Sequence, residues 1–429
     1  MKNRIKELRV FIFLWSTQSL SHLGSAMTNF ALGIWLYEKT GSALQTALLN
    51  ICSYTPYVMM SIFAGALSDR WDKKKAMLIC DLIAALCTVS IFTCLKMDML
   101  MPWHMYVLNV INGLMNTIQQ PASEVAITLV TPKDQFQRAS GMKSFSNSLI
   151  TIMHPILATS LFAIGGMDLV IFLDLLTFVF AFVTLAFWIR IPNLTMENGE
   201  QKDTLLKSAG VGLAYLRETP LIFMLILFMA GVNLMASAFD AVLPAYVLSC
   251  ENGGKTVLGL VTSCAGIATL TGSVVVTMMP APKNRIRTIY LTMLISLSVE
   301  NFLLAFSREP VIWCIGQFVG WMLVPLMSAN LDVINRSTIP AHLQGRVYAC
   351  RNALQFFTIP IGLFIGGFLT DNVCDPFMDS ELSDGIWRMM FGFESGSGAA
   401  MVLCILGITG TIYCLIFGKV LQKYEFKDE

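Results

Sequence analysis

The stretch GALSDRWDKKKA, from Gly65 to Ala76, places six charged side chains between two strongly apolar runs. An apolar run of about 20 residues is long enough to cross a lipid bilayer as a helix. Because charged side chains are costly inside the hydrocarbon, this short connection must turn the chain at one membrane face. The stretch therefore predicts a hairpin of two membrane helices with a cluster of charge at its turn.

The rest of the chain has the same character. Of its 429 residues, 55% are apolar and 13% are charged, whereas soluble domains average about 45–50% apolar and about 25% charged residues. The first apolar run, near residues 11–37, is too long for a cleavable signal and predicts a retained span. The formal net charge is +1 and no basic, aromatic surface stands out, so we expect no nucleic-acid partner.

Twelve apolar windows lie between charged or Pro/Gly-rich breaks. They fall near residues 11–37, 44–67, 76–95, 102–130, 138–163, 169–190, 218–248, 257–279, 288–306, 311–336, 344–371 and 396–419. The pattern predicts an all-α integral membrane protein with twelve transmembrane helices, arranged as two pseudo-symmetric six-helix bundles.

The basic residues are distributed unevenly between the two sides of these windows. With the N-terminus placed in the cytoplasm, all but five of the 29 Lys and Arg residues fall at or near the cytoplasmic face. The five exceptions are Lys39, Lys96, Lys255, Arg308 and Arg388. By the positive-inside rule, this asymmetry predicts a multi-pass protein of the cell membrane with both termini in the cytoplasm.

The longest inner connection separates six windows from six. The predicted domains are an N-terminal six-helix bundle (1–190), a cytoplasmic linker (191–217) and a C-terminal six-helix bundle (218–429). From Leu205 to Arg217, apolar and basic residues alternate as in an amphipathic helix lying on a membrane surface. A solvated linker without such a helix is the alternative, and the sequence leaves both open.

The two halves also resemble each other. The connection LVTPKDQFQRASGM precedes the fifth window, and RSTIPAHLQGRVYA precedes the eleventh. Each has a proline six residues before an arginine, Pro132 before Arg138 and Pro340 before Arg346, and each following window contains a further proline. Internal repeats of this kind are typical of transporters.

The opening stretch also suggests a conformational latch on the inner side. Gly65 allows a neighbouring helix to approach closely, and Asp69 can accept hydrogen bonds from amides at a helix N-terminus. Arg70 can pair with a carboxylate, for which Asp81 and Glu124 are the candidates. The predicted latch residues are Gly65, Asp69, Arg70, Lys73, Lys74, Asp81, Glu124 and Arg346. Alternatively, the lysines only enforce topology and contact lipid headgroups.

Twelve windows, the division into six and six, and this loop together resemble the major facilitator superfamily. Its loop pattern is G-x-x-x-D-R/K-x-G-R-K/R-K/R, from which the chain departs at Asp72 and Lys73. The D-R-x-D-[RK]-K form and the segments PAHLQGRV and LLKSAGVGLAYLRETP resemble the macrolide-efflux and drug:proton antiporter subgroup. The resemblance implies alternating access around a central cavity lined by spans one and five, with antibiotic efflux as the expected role.

The chain departs from the family patterns at two further places. The family often carries G-x-x-x-G-P-x-x-G-G in span five, whereas this chain reads ITIMHPILAT and keeps only Pro155 of that pattern. The corresponding loop of the second half, MMPAPKNRIRT, has basic residues but no Asp-Arg pair. We therefore expect an asymmetric latch.

Several polar residues fall inside the apolar windows, where an ionised side chain costs about 2.5–3.5 kcal/mol at the bilayer centre. The residues predicted to lie on the substrate or proton pathway are Asp240, Asp174, His22, His154, Asn112, Asn116, Gln119 and Asn233. The alternative for each is a structural hydrogen bond between helices. For Glu300, near the outer end of its window, we expect a structural role.

These features predict a secondary active transporter that exports amphipathic small molecules in exchange for protons. An exporter of a siderophore or lysolipid, or a non-transporting sensor of the same fold, remains an alternative. Neither a Walker sequence nor a metal-binding or catalytic motif occurs in the sequence, so we expect no enzyme activity, cofactor or metal. The expected partners are a small-molecule substrate, protons and the bilayer, with the protein acting as a monomer. A disulfide between Cys250 and Cys374 is possible from their outward positions.

Overall fold

The structure is a computed structural model that describes residues 9–70, 72–132, 135–191, 205–383, 385–392 and 395–424. In this part of the chain the regular structure is helical and no strand occurs. Its α-helices are α1 (Arg9–Thr40), α2 (Ala43–Arg70), α3 (Lys73–Lys96), α4 (Pro102–Val130), α5 (Phe136–Val183), α6 (Leu205–Glu218), α7 (Pro220–Ser249), α8 (Lys255–Met278), α9 (Arg285–Phe306), α10 (Pro310–Met322), α11 (Val324–Thr338), α12 (Ala341–Phe356), α13 (Thr358–Leu369), α14 (Asp375–Asp379), α15 (Ile386–Phe391) and α16 (Ser397–Leu421).

These helices form twelve membrane spans. Among the described residues, eight helical segments are long and apolar enough to cross a bilayer. The longest of them, Gly141–Trp188, contains two spans because Gly166 interrupts it with φ 66° and ψ −164°, a conformation open mainly to glycine. Helices α1, α2 and α4 supply the other three spans, with 32, 28 and 29 residues. The predicted fold class is confirmed.

Two later spans are each built from two helices. Helix α10 ends at Met322 and α11 begins at Val324, while α12 ends at Phe356 and α13 begins at Thr358. Pro325 and Pro360 follow these breaks. Because proline lacks an N–H group for the carbonyl four residues earlier, it weakens the helix at this point. Short π-helical turns extend α5 and α13, at Thr184–Trp188 and Thr370–Cys374.

The chain divides into two compact units. The first contains Met1–Gly33 and Cys52–Leu205, and the second contains Ile34–Ile51 and Leu206–Glu429. The predicted division at residues 191–217 stays a prediction. In the structure the hairpin segment 34–51 belongs to the second unit, which the predicted domain boundaries do not include. Helix α6 occupies part of the predicted linker, with Leu216 fully buried. Its position on a membrane surface also stays a prediction.

The core of each unit consists of apolar side chains from helices distant in sequence. In the first unit Leu14, Met77 and Leu185 are almost completely buried in one cluster. In the second unit Phe228 is buried, and its ring stacks on Tyr413 at 6.0 Å between ring centroids. These contacts hold the helices that carry the polar groups described below.

The charged loop before α3 has a structural role within the first unit. Asp72 is the N-cap of α3, and its Oδ1 accepts a hydrogen bond of 2.9 Å from the backbone N–H of Lys75. This cap explains the departure from glycine at this position, since aspartate is a preferred N-cap. Lys74 Nζ donates to the carbonyl oxygens of Ala186 and Ile189 at 2.9 and 2.8 Å. Lysine thereby satisfies carbonyls at the end of the sixth span.

The latch prediction is only partly covered by the described residues. The side chains of Gly65, Asp69, Arg70 and Arg346 lie outside them. Lys73 is 8% exposed at the start of α3. The latch therefore stays a prediction.

The segment 34–51 is held within the second unit by polar contacts. Asp371, in the π-helical turn after α13, accepts hydrogen bonds from Ser42 Oγ (2.5 Å), Ala43 N (2.9 Å) and Leu44 N (2.9 Å). Its carboxylate thus caps the N-terminus of α2, where the helix dipole favours negative charge. Lys255 and Glu38 form an ion pair of 2.9 Å in the same unit. Cys250 and Cys374 do not form the possible disulfide in this structure, and Cys250 Sγ accepts a hydrogen bond of 3.2 Å from Arg308.

Candidate functional site

A cavity of about 380 Å³ lies inside the first unit, between α1, α3, α4 and α5. Its walls combine apolar side chains with amide, hydroxyl and carboxyl groups. The polar residues that the argument below uses are Gln18, His22, Ser25, Asn112, Asn116, Gln119, Asp81 and Asp174. We refer to this space as the N-unit cavity.

Two helices present polar stripes to the N-unit cavity. On α1 the lining residues Gln18, His22 and Ser25 are spaced by four and three positions, and on α4 Asn112 and Asn116 are spaced by four. Residues three or four apart share one helix face. The polar stripes of α1 and α4 therefore line the same cavity.

Asp81 lies on the α3 wall of the cavity and is 9% exposed. Its Oδ2 accepts a hydrogen bond of 3.4 Å from Gln18 Nε2, and its Oδ1 accepts one from Gln119 Nε2. Both donors are uncharged amides. The carboxyl group is therefore oriented by its neighbours without being neutralised by them.

Asp174, on the second half of α5, is 3% exposed and also faces the cavity. Its Oδ1 accepts a hydrogen bond of 3.1 Å from Ser25 Oγ on α1. Gly24 makes this approach possible, because a Cβ atom there would lie 3.0 Å from Asp174 Oδ1 and 2.5 Å from Thr177 Oγ1. A second buried carboxyl group is thus held by a neutral donor.

A basic residue completes the wall near the start of α5. Lys143 lines the cavity and forms an ion pair with Glu124 on α4. On the same wall, Trp15 Nε1 donates a hydrogen bond of 3.1 Å to Ser146 Oγ. Glu124, a predicted latch partner of Arg70, therefore has a partner within its own unit.

The structure collects five of the eight predicted pathway residues in the N-unit cavity. They are His22, Asn112, Asn116, Gln119 and Asp174. Asp81, predicted as a latch residue, joins them and is engaged by amides there. In chemical terms, the cavity offers two carboxyl groups, one imidazole and several amides to a ligand or a proton.

The other three predicted pathway residues lie elsewhere. His154 is on α5 outside the cavity lining, where Ile150 O is 2.9 Å from its Nδ1 and Phe30 packs edge-on against its ring at 5.6 Å. Asn233, on α7 of the second unit, donates to Gln355 O at 3.2 Å. Asp240, on the same helix, is exposed.

The site set predicted from the sequence omitted Gln18 and Ser25, which bind the two cavity carboxylates. The three-and-four spacing of Gln18, His22 and Ser25 is visible in the sequence and indicates one polar helix face. Which carboxylate each residue binds is not visible there. No cluster of three His, Cys, Asp or Glu side chains suited to a metal ion occurs among the described residues.

The volume and lining of the N-unit cavity are typical of small-molecule sites. Such sites occupy roughly 300–1,000 Å³ and combine apolar walls with a few well-placed polar groups. The cavity is at the small end of that range. Its buried carboxyl groups suit binding of a proton or a cationic group more than binding of an anion.

Two efflux proteins are similar to this chain over most of its length. Macrolide efflux protein A of Streptococcus pyogenes is 24% identical over 367 residues, covering 85% of this chain and 90% of that protein. Multidrug efflux pump Tap of Mycolicibacterium fortuitum is 24% identical over 357 residues, covering 81% of this chain and 86% of that protein.

Solved structures share the fold at lower sequence identity. A bacterial homolog of the human lysosomal transporter Spinster, solved in an inward-facing and unoccupied conformation, superposes with a TM-score of 0.71, 13% identity and 99% coverage of each chain. A bacterial homologue of the iron transporter ferroportin gives a TM-score of 0.71 and 14% identity, covering 96% of this chain and 99% of that one.

The family model of the Major Facilitator Superfamily matches residues 14–279. This range includes all the walls of the N-unit cavity as well as the first spans of the second unit. Since the match extends over more than half of the chain and the helices form the twelve spans expected of such transporters, the chain belongs to the Major Facilitator Superfamily.

Proposed function

We propose that this protein is a secondary active transporter that exports amphipathic small molecules of macrolide-like or drug-like character in exchange for protons, by alternating access. The observation that carries the proposal is the pair of buried carboxyl groups, Asp81 and Asp174, which face one cavity and which, within the described part of the chain, are held only by neutral donors. The names of the efflux relatives support the substrate class.

The physical argument concerns the charge of those carboxyl groups. A buried carboxylate without a cationic partner pays a large desolvation cost. That cost is relieved when the group takes up a proton or when a cationic group of a ligand binds beside it. Proton and amphipathic cation thus compete for the same groups, and competition of this kind couples their movements in opposite directions.

The surroundings of the two carboxyl groups suit a large, weakly polar solute. Asn112, Asn116 and Gln119 are uncharged and offer both donors and acceptors along α4. Asn112 Oδ1 is buried without a hydrogen-bond partner, so it is available as an acceptor. Aliphatic and aromatic side chains such as Leu32 and Phe178 supply apolar wall.

The proposal includes location and partners. The protein is a monomer in the cell membrane, with both termini in the cytoplasm, and its partners are the exported molecule, protons and lipid. It acts as a transporter without an enzymatic step, a cofactor or nucleic acid. The distribution of Lys and Arg supports this orientation.

Uptake into everted membrane vesicles tests the proposal, with radiolabelled erythromycin as the probe. Vesicles acidified by respiration are expected to accumulate erythromycin when they contain the protein, and a protonophore is expected to abolish the accumulation. Vesicles without the protein give the background. Absence of erythromycin uptake above background would remove the macrolide assignment, and uptake that is insensitive to the protonophore would remove proton coupling.

Variants of the cavity test the role of its carboxyl groups. Asp81→Asn and Asp174→Asn are each expected to lower gradient-driven uptake at least about tenfold, because an amide has the shape of the carboxyl group but cannot take up a proton. Asp168→Asn is the matched control, since Asp168 lies on α5 with a half-exposed side chain paired to Lys96. Full uptake by both cavity variants would contradict the proposal.

A further inference from the structure

Glu300 of the second unit is a buried carboxyl group with an unsatisfied oxygen. It lies on α9, is 6% exposed, and its Oε1 has no hydrogen-bond partner. The carboxyl group rests on the backbone of α10, since a Cβ atom at Gly320 would lie 2.5 Å from Glu300 Cδ. Buried polar atoms are nearly always paired, so this oxygen requires an explanation.

A second unpartnered group lies on the facing helix. Gln317 is 1% exposed and its Nε2 is buried without a partner. Gln317 and Gly320 are three positions apart and share the face of α10 that packs on α9. Ser296, one turn before Glu300, is already engaged, because its Oγ donates to Gly320 O at 2.8 Å. Thus one carboxyl oxygen and one amide nitrogen have no partner among the described residues at this helix interface.

The groups that act on Glu300 come from two helices. From α7, the exposed Asp240 is close enough for its charge to interact with that of Glu300. From α10, the indole of Trp321 is within hydrogen-bonding reach of the carboxyl group. Among the described residues of α11 and α16, which also pack on α9, no charged group acts on Glu300. No cation of the described residues neutralises the pair.

We propose that Glu300 is a proton-binding site of the second unit and that the exposed Asp240 exchanges protons with it. Two neighbouring carboxylates cannot both be ionised cheaply in an apolar setting, so the pair shares one proton. In the exchange, the O–H bond of the Asp240 carboxyl group breaks and an O–H bond forms at Glu300 Oε1. The pair keeps one negative charge throughout.

The buried and exposed ends of the pair have different roles. In this proposal Asp240, whose side chain is exposed, takes up the proton first, and the buried Glu300 then holds it. Gln317 Nε2 supplies a donor for the Glu300 carboxylate when the proton has left. A role of this proton in transport coupling rests on the proposed export function. The binding of the proton to Glu300 does not depend on that function.

Infrared difference spectroscopy of the purified, reconstituted protein tests proton binding without any substrate. Between about pH 6 and about pH 9, a range in which exposed glutamates with the usual pKa of about 4.3 stay ionised, the C=O band of protonated carboxyl groups is expected to lose one component in Glu300→Gln. Glu309→Gln, at the exposed N-cap of α10, is the matched control and is expected to keep it. An unchanged band in Glu300→Gln, or an equal loss in the control, would overturn the proposal.

A second variant tests the exchange through Asp240 and does not depend on the folding of the buried variant. After a pH jump, Asp240→Asn is expected to delay the appearance of the Glu300 component at least about tenfold, as positioned proton-transfer groups contribute about 10²–10⁴-fold. An unchanged rate would refute the role of Asp240.

Transport assays separate the two proposals. In proteoliposomes, Glu300→Gln is expected to keep erythromycin counterflow, which needs no gradient, and to lose accumulation driven by a pH gradient. Equal loss of both activities, or retention of gradient-driven accumulation, would contradict a coupling role for Glu300. If the unmodified protein transports no erythromycin, the proposed substrate class fails while the infrared result still decides whether Glu300 binds a proton.

Discussion

Replacement of Asp371 is expected to loosen the N-terminus of α2. The Asp371 carboxylate receives three hydrogen bonds there, from Ser42 Oγ and from the backbone N–H groups of Ala43 and Leu44. Gly367 brings the two segments together, because a Cβ atom at this position would lie 2.6 Å from Leu44 Cα. Asp371→Ala leaves this packing intact and removes all three hydrogen bonds.

The magnitude follows from two contributions. Loss of an N-cap side chain costs about 0.5–2 kcal/mol, and loss of a carboxylate from a helix N-terminus costs about 0.3–1 kcal/mol, more when the group is partly buried. Because this carboxylate is part-buried and accepts three hydrogen bonds, the upper parts of both ranges apply, and opening of the first turn of α2 is expected to become easier by about 2–3 kcal/mol. Because 1.4 kcal/mol corresponds to a factor of ten, the opening constant rises about 30- to 150-fold. Asp371→Asn keeps the shape of the side chain but removes its charge, and it is expected to make this opening easier by about 1 kcal/mol.

Hydrogen exchange measured by mass spectrometry on the protein in lipid nanodiscs reports this opening. The peptide that covers residues 42–51 is expected to exchange about 30- to 150-fold faster in Asp371→Ala, while peptides of α9 are unchanged. Asn372→Ala is the matched control, because its exposed side chain makes only a 3.5 Å contact with Phe368 O. Exchange within about twofold of the parent protein in Asp371→Ala would refute the reasoning.

Three further substitutions test local packing in the first unit, each read as thermal unfolding of the purified protein. Gly113→Val is expected to destabilise the protein by about 2 kcal/mol or more, because an added Cβ atom would overlap the carbonyl oxygen of Ser53 on the facing helix. Gly141→Ala is expected to have little effect, because the space around Gly141 is open. Lys74→Met is expected to lower the free energy of unfolding by about 1–3 kcal/mol, because it leaves the carbonyl oxygens of Ala186 and Ile189 without their donor. Lys75→Met, at an exposed position, is expected to lower it by less than about 0.5 kcal/mol. Asp72→Ala is expected to cost about 1 kcal/mol and Asp72→Gly only a few tenths, since glycine is tolerated at an N-cap. Equal effects of Gly113→Val and Gly141→Ala, of the two lysine exchanges, or of the two Asp72 exchanges would contradict the respective argument.

The helical membrane fold was predictable from the sequence because its causes are local. Apolar length determines whether a segment crosses a bilayer, and the twelve windows correspond to the helices between Arg9 and Leu421. The interruption between the fifth and sixth spans falls at Gly166, inside the predicted break. The polar faces of α1 and α4 were likewise accessible, because the spacing of His22 and Asn112 among their neighbours follows the period of one helix.

The partners of the polar residues were not predictable in the same way. Asp81 carried a latch assignment from its position near the charged loop, which stays a prediction, and the structure adds its hydrogen bonds with Gln18 and Gln119 in the N-unit cavity. Glu300 received a structural interpretation from its place near a span end, but its Oε1 has no partner. Both outcomes depend on which helix faces which, and helix rotation is determined by packing against the other helices.

The sequence by itself determined that the chain is a membrane protein of twelve helices, with its charge gathered in short loops and its polar residues aligned along particular helix faces. Only the tertiary structure decided that Asp371 caps a helix 328 residues earlier in the chain, and that the Glu300 side chain packs closely against the backbone at Gly320. The physical reason is that hydropathy and helical period act over a few turns of one helix, whereas a hydrogen bond between helices depends on the register and rotation of segments that the sequence does not place side by side.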